Sequence, residues 1–363
     1  MSKIVAYCRS GYESDTAAEL TETASQHNFF GYPSLVANSG YVIFQFYQDE
    51  HAQAFVNQIG AQTLVFARQV FAVLAEIEPL PERDRVGAII EQLIDWRDNM
   101  PGEKTLLAGD IMVEYPDTDD GKSVAKFARK VTTPLRQALR KGAFLTPKDD
   151  PDKSRLHVFL PDFGRAFIGI SFARNRNAHH NGIHRLRFPN QAPSRSTLKL
   201  EEAILDLLNE QQRQDIFREG ARAVDLGACP GGWTYQLVSR GMHVEAVDNG
   251  AMAESLMKTG QVSYFAADGF KYRPEFGTVQ LLVCDMIEQP DRVAHLMRQW
   301  LERQYAQAAI FNLKLPMKKR YQTVTELLAY LHEGLSANFT IRCKQLYHNR
   351  DEVTLAIIPR NPN

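Results

Sequence analysis

The stretch Asp225-Leu226-Gly227-Ala228-Cys229-Pro230-Gly231-Gly232-Trp233-Thr234 decides the fold. It joins the apolar run 223–227 to a helix-forming segment through a turn rich in glycine, the pattern of a buried strand handing over to a helix. Such a turn leaves backbone N–H groups and the positive end of a helix beside whatever binds there. Gly227, Gly231 and Gly232 give room for close approach and Pro230 stiffens the bend, but the spacing is not GxGxxG, which weakens a dinucleotide reading. Outward from the loop, strand-like runs recur at 243–248, 262–266, 279–285, 308–313, 340–347 and 353–358. Helical segments fill most gaps until the last two runs, which a short turn at 348–351 joins as an antiparallel pair. The expected architecture is α/β: a Rossmann-like, doubly wound, seven-stranded and mostly parallel sheet with a terminal antiparallel hairpin.

The chain has 363 residues, 44% of them apolar, too many for one typical domain and enough for two or three cores. Before the α/β half, short strands alternate with amphipathic helices, suggesting two α+β units at 1–62 and 63–173. Their strands are expected at 4–8, 41–46, 64–75, 106–114, 156–160 and 166–171, and their helices at 17–24, 52–59, 86–96 and 123–141. Residues 117–121 form an acidic turn placed to cap the last helix, 148–152 read as a loop, and 174–196 as a linker. No run approaches the ~18 apolar residues a membrane span needs, and the N-terminus turns polar too soon for a signal peptide, so a cytoplasmic protein is expected. The four cysteines, Cys8, Cys229, Cys284 and Cys343, form no CxxC pair and read as reduced and buried.

The net charge of −1 hides a segregation. Between Lys122 and Lys199 stand 17 Lys and Arg against four Asp and no Glu, a balance of +13, leaving −14 for the rest. Phosphate neutralisation is an obvious use for such a stretch, and its candidate RNA contacts are Lys126, Arg129, Lys130, Arg136, Arg140, Arg174, Arg176, Arg185 and Arg187. His179, His180 and His184 lie close together, but no Cys or carboxylate is near them in sequence, and no metal is expected.

Three acidic residues end strands around the glycine loop: Asp248, Asp268 and Asp285. Asp248 is placed to accept from both hydroxyls of a ribose, and Asp268 to reach an adenine amino group. Lys199, Asp285, Lys314 and Glu352 all fall at or beside the carboxyl edge of the sheet. Lys314 sits in the apolar run 310–316, where burial and a neighbouring cation are expected to lower its pKa and make it a base.

The loop DLGACPGGWT, with lysine, aspartate, lysine and glutamate in this order, resembles the K-D-K-E family of RNA ribose 2′-O-methyltransferases, whose class I methyltransferase sheet also ends in a hairpin. The strings 192–203 and 311–320 are similar to members that methylate one cytidine ribose of 23S rRNA. These members carry an N-terminal part with a ferredoxin-like domain and a THUMP-type domain, matching the two α+β units by order and size. The resemblance implies S-adenosylmethionine as cofactor and RNA as partner; no membrane association is expected, and the oligomeric state is not predicted, with a monomer as the default. It adds Ser196, Cys229, Pro230, Gly231 and Gly232 to the cofactor contacts Gly227, Asp248, Asp268 and Asp285. The chemistry agrees, because a ribose hydroxyl is a poor nucleophile at neutral pH and needs a base. Lys314 would take the proton, Asp285 hold it in position, Lys199 stabilise the attacking oxygen and Glu352 orient the lysines.

Other classes fit less well. Amino-directed base methylation needs a polar-Pro-Pro-aromatic turn where this chain reads Asp285-Met286-Ile287-Glu288-Gln289-Pro290. Carbon-5 methylation needs a cysteine nucleophile, whereas Cys284 precedes Asp285 within a strand and Cys229 lies in the cofactor turn. A nicotinamide oxidoreductase leaves Lys314 and the basic segment idle. A non-catalytic RNA-binding or assembly factor has no use for both lysines and the loop.

Overall fold

The computed structural model describes residues 1–99 and 106–360, which divide into two compact units, 1–183 and 184–363. The first unit contains β1 (Lys3–Tyr7), α1 (Glu13–Gln26), β2 (Gly31–Leu35), β3 (Tyr41–Phe46), α2 (His51–Gln58), β4 (Gln69–Ile77), α3 (Arg85–Asp98), β5 (Asp110–Glu114), α4 (Gly121–Lys141), β6 (Arg155–Phe159) and β7 (Ala166–Ser171). Its strands form one sheet in the order β2-β3-β1-β4-β7-β6-β5. Strands from either side of position 62 therefore share a ladder, through the antiparallel pairing of β1 with β4.

The helices cover one face of this sheet, over a core that runs from Ile4, Leu20, Phe44 and Phe55 to Leu135, Leu139 and Ile168. Val124, Ala128, Val131, Leu135 and Leu139 recur at helical spacing along α4 and form its buried stripe, so the cations between them lie on its other faces. The opposite face of the sheet carries a smaller cluster of Val5, Tyr7, Phe71, Val73, Phe159 and Phe167. Beside it lies a buried polar group. Glu114 accepts from the Tyr7 hydroxyl at 2.9 Å and from the Asn181 backbone N–H at 2.7 Å. His157 Nδ1 lies 2.8 Å from Glu114, and its Nε2 lies 2.7 Å from Ser171 Oγ. Burial alone would push the Glu114 carboxyl up, but the bonds and charge of His157 prevail and hold it below its ordinary value.

Several expectations shift. Residues 174–183, read above as the start of a linker, are built into the first unit, where Asn175 Nδ2 donates to Asn57 O and a short helical turn spans His180–Gly182. The strand expected at 64–75 begins only at Gln69, because the Glu19 carboxylate takes the N–H groups of Val65, Phe66 and Ala67 and no ladder forms there. The strand expected at 106–114 begins at Asp110, with only an isolated bridge from Ala108 to Leu145 before it. The acidic turn caps α4 through Thr118 Oγ, which accepts from Gly121 N at 3.0 Å.

The second unit contains α5 (Thr197–Leu207), α6 (Glu210–Ile216), β8 (Arg222–Leu226), α7 (Gly232–Val238), β9 (His243–Asp248), α8 (Glu254–Met257), β10 (Val262–Ala266), β11 (Val279–Cys284), α9 (Pro290–Glu302), β12 (Ala306–Lys314), α10 (Arg320–Leu335), β13 (Phe339–Lys344) and β14 (Glu352–Pro359). The sheet order is β10-β9-β8-β11-β12-β14-β13. Strands β8 to β12 run parallel, while β14 lies between β12 and β13 and is antiparallel to both. The mostly parallel sheet with its antiparallel ending is thus the expected one. Central strands such as Val279–Cys284 are apolar and buried on both faces, with Gln280 alone polar, because helices cover both sides. α5 and α7 share a core with Ala223, Val244, Leu281 and Ile310, and α9 packs on β12 and α10. The strand order reverses between β8 and β11, and the crevice beyond their carboxyl ends is where ligands of such sheets bind.

Replacing Glu114 with Ala strands the Tyr7 hydroxyl, His157 and the Asn181 N–H in a buried site, at a cost of about 3 kcal/mol or more. Because the Glu114 carboxyl is held low, its contribution is present above the ordinary carboxyl range and lost as pH falls. Urea titrations at neutral pH should show a lower midpoint for the first unit in this variant, with the difference from the parent shrinking in acid.

Candidate active site

The turn after β8 is boxed in by its neighbours. Gly227 has a φ of 78° and Gly231 one of 115°, in the left-handed region that glycine alone enters cheaply. A Cβ at Gly227 would lie 2.7 Å from Met286 Cγ, one at Gly231 would collide with Leu256, and one at Gly232 would collide with Ser196 Oγ. Ser196, whose hydroxyl lies 3.0 Å from that of Ser194, therefore abuts the turn directly. The Cys229–Pro230 peptide is cis.

Carboxylates ring this turn. Asp248 ends β9, where one oxygen accepts from Cys229 N and the other from Gly250 N, each at 2.9 Å. The Tyr264 hydroxyl locks the same bend by donating to the carbonyls of Asp248 and Gly250. Asp268 accepts from Phe270 N at 2.9 Å and is a partly exposed loop cap beyond β10. Asp225, whose side chain sequence reasoning left unused, is buried at the end of β8. Its Oδ2 accepts from Thr234 Oγ1 at 2.7 Å, while its Oδ1 has no partner among the described residues. Burial, reinforced by the charges of Asp285 and Asp248, pushes its carboxyl up to about 7.

An unpartnered buried carboxylate oxygen, a glycine turn open to close approach and a fixed carboxylate at the next strand end fit a cationic adenosyl compound. Asp248 suits its hydroxyls, and Asp225 with its neighbours suits its positive charge.

One strand further, four charges close into a ring. Lys314 Nζ lies 2.8 Å from Asp285 Oδ1 and also contacts Glu352 Oε2. Lys199 Nζ lies 3.2 Å from Asp285 Oδ2 and 2.5 Å from Glu352 Oε1. Each lysine thus bridges both carboxylates. Two ladders deliver the ring: Lys314 is the direct cross-strand partner of Glu352, and pairing of Cys284 with Phe311 sets Asp285 beside Asn312. Buried Asn312 completes the support, its Nδ2 donating to Asp285 Oδ1 at 2.9 Å and its Oδ1 accepting from Thr354 Oγ1 at 2.6 Å. The turn before Glu352 is held by buried Glu202, which accepts from the N–H groups of Tyr347 and His348, each at 2.8 Å.

The electrostatics correct the expectation for Lys314. Burial pulls its pKa down, but Asp285 and Glu352 outweigh burial and raise it above the ordinary value, so the lysine is a cation here. Burial likewise pushes the Asp285 carboxyl up, yet Lys314 and Lys199 hold it below its usual range. Neither Cys229 nor Cys284 is held as a thiolate. Burial, aided by the charges of Asp248 and Asp225, pushes the Cys229 thiol up to about 11, and burial pushes that of fully buried Cys284 up to about 12.

The candidate RNA contacts separate into two groups. Lys126, Arg129 and Lys130 are exposed on α4, and Arg174, Arg185 and Arg187 are exposed beyond β7, with Arg185 stacked over the Tyr347 ring at 5.3 Å. The other three have partners within the first unit. Arg136 pairs with Asp110 at 3.0 Å and Asp149 at 2.8 Å, and Arg140 pairs with Asp149 at 2.8 Å. Arg176, only 7% exposed, donates to the carbonyls of Lys153 and Pro151. Among the histidines, His184 meets Asp206 at 3.2 Å, a carboxylate remote in sequence.

The chain matches three family models: an RlmM ferredoxin-like domain over residues 1–71, the N-terminal domain of ribosomal RNA large subunit methyltransferase M over 84–172, and an FtsJ-like methyltransferase over 192–327. It is 50% identical to ribosomal RNA large subunit methyltransferase M of Alteromonas mediterranea, across 98% of this chain and 97% of that one. It is 48% identical to the protein of the same name from Psychromonas ingrahamii, across 98% and 96%. For the one from Vibrio parahaemolyticus the identity is 47%, across 97% of both chains.

The Asp225 carboxyl binds its proton more tightly in the folded protein than in the unfolded chain. Between its ordinary value of 3.8 and about 7 the native state therefore holds the extra proton, and rising pH costs stability. Asp225→Asn should remove that decline while keeping the Thr234 bond. Denaturation midpoints of variant and parent, compared at the two ends of this window, should converge in acid and differ at neutral pH.

Proposed function

The chain belongs to the ribosomal RNA large subunit methyltransferase M family, and from that premise we propose that it methylates the ribose 2′-hydroxyl of one cytidine in 23S rRNA. The observation that carries this reading is the ring of Lys199, Asp285, Lys314 and Glu352 at the switch point of the sheet, one strand from the glycine turn. Ser196, Gly227, the turn Cys229 to Gly232, Asp248, Asp268 and Asp285 would hold S-adenosylmethionine, with Asp225 facing its positive end. Bound there, the cofactor supplies a methyl group activated by a sulfonium.

The chain's own residues prepare the nucleophile. A ribose hydroxyl entering the ring has to lose its proton to a base in line with the incoming methyl group. Lys314 serves as that base once it has shed its own proton. Its two carboxylate partners oppose that loss in the free protein, and exclusion of water by the RNA, with Lys199 close by, favours it. Asp285, fixed by Asn312, aims the Lys314 amine; Glu352 spaces the two lysines; Lys199 offers its ammonium to the charge that grows on the attacking oxygen.

The segments 1–62 and 63–173 serve as the ferredoxin-like and THUMP-type RNA-binding domains, joined through the basic segment to the catalytic domain that begins near 197. Lys126, Arg129 and Lys130 supply exposed cations for phosphates in this arrangement. Among the described residues no helix is long and apolar enough to cross a membrane.

Lys314→Ala should abolish methyl transfer while leaving cofactor affinity nearly unchanged, measured by label incorporation and by calorimetry on the same preparation. Because Lys314 is held above its ordinary pKa in the free protein, kcat/KM for RNA should climb about tenfold per pH unit through the neutral range, and a plateau there would rule out this base. Replacing Lys126, Arg129 and Lys130 together by Ala should weaken RNA binding and make the salt slope shallower by about two to three. Binding titrations at several salt concentrations read this directly.

A further inference from the structure

The two most exposed large apolar side chains among the described residues are Ile287, at 93%, and Met317, at 95%. Scattered exposed apolar residues need no explanation. These two are not scattered. Ile287 lies two positions after Asp285, and Met317 three positions after Lys314, in the loops that leave the adjacent parallel strands β11 and β12 at the edge of the charged ring. Their neighbours are folded inward. Met286 closes on Gly227 and Gly269, and Leu315 is buried. Each loop therefore seats one apolar residue against the protein and turns a second into solvent beside the reacting groups.

Charge identifies the occupant. Met317 is followed by Lys318, Lys319 and Arg320, and the first two are exposed and enter no ion pair among the described residues. Beyond Asp285, which the two lysines hold, the one carboxylate in the facing loop, Glu288, is neutralised by Arg292 at 2.6 Å. An apolar protein partner would gain little from that row of cations. A nucleotide uses both features, because its base has an apolar face and its backbone carries a phosphate on either side.

We infer that Ile287 and Met317 form an apolar rim that receives the base of the target nucleotide, while Lys318 and Lys319 hold the phosphates flanking it. The inference rests on the ribose reading above, since it places the base outside the ring when its ribose lies within. A ribose inside a helical stack cannot approach such a recessed ring, so the target nucleotide has to be drawn out of its neighbours and its base met by new contacts.

The test uses the full chain with a transcript carrying the target region. Ile287→Ser combined with Met317→Ser, both at exposed positions, should lower kcat/KM for RNA about tenfold or more, the loss expected when one base contact is removed. Cofactor affinity should stay within about twofold, and Ile287→Leu with Met317→Leu should restore most of the rate. Lys318→Ala with Lys319→Ala should raise KM with kcat retained and reduce the salt slope by about two. Turnover of free RNA by the serine pair at the parent rate would overturn the inference. So would a loss confined to ribosomal particles, which would assign the rim to a ribosomal protein. The position of the methyl group is scored separately: a base-methylated product from the parent protein would overturn the ribose reading, while the rate loss would still support the rim as a substrate contact.

Discussion

Lys314 and Glu352 face each other across an antiparallel ladder, and the chemistry of the carboxyl edge depends on that register. The register exists because the final strand does not simply follow its predecessor at the sheet margin. It inserts between β12 and β13, bringing a residue 38 positions away against the lysine. The parallel pairing of β11 with β12 then places Asp285 on the other side of the same ammonium. A slip of one residue in either ladder would turn these side chains to opposite faces and open the ring. Four ionised groups shielded from water cost desolvation free energy that pairing repays only with good geometry and further hydrogen bonds, so such a ring is weak evidence of stability. Its retention beside a ligand crevice makes sense as chemistry.

The same edge explains how the ring and the cofactor turn work together. Both lie where the strand order reverses, and Asp225 and Asp285 end neighbouring strands, β8 and β11. Asp285 is held ionised by two lysines, whereas Asp225 has no cation and its carboxyl moves up to about 7. The carboxyls of two aspartates on adjacent strand ends are thus shifted in opposite directions because their partners differ. The first lies against two lysines; the second keeps one oxygen without a partner among the described residues.

Much of this was legible in the sequence wherever local pattern decides structure. The runs at 243–248, 262–266 and 166–171 coincide with their strands, since each is a short run of strand-forming residues bounded by turn residues. The order lysine, aspartate, lysine, glutamate identified the groups that converge. What escaped was set by contacts remote in sequence. β2, with Pro33 at a largely exposed sheet edge, lacks the alternation of a half-buried strand. The run from Leu64 reads as a strand until Glu19 removes its N–H groups from any ladder. The direction of the Lys314 shift depends on two carboxylates whose distances no local window contains. Arg136, Arg140 and Arg176 look like their exposed neighbours in composition, and their pairing with Asp110, Asp149 and two backbone carbonyls is visible only in the structure. Met317 and Ile287 were passed over because an apolar residue after a strand reads as core, and only its solvent exposure marks it otherwise.

The central claim is that the charged ring activates a ribose hydroxyl, and the position of the transferred methyl group tests it most directly. After incubation of the protein with isotopically labelled S-adenosylmethionine and unmodified 23S rRNA, the RNA can be hydrolysed in alkali, which needs a free 2′-hydroxyl to cleave each link. The account predicts label in a dinucleotide that survives alkali and has cytidine on its 5′ side. Label recovered only in mononucleotides would place the methyl group on a base and contradict it.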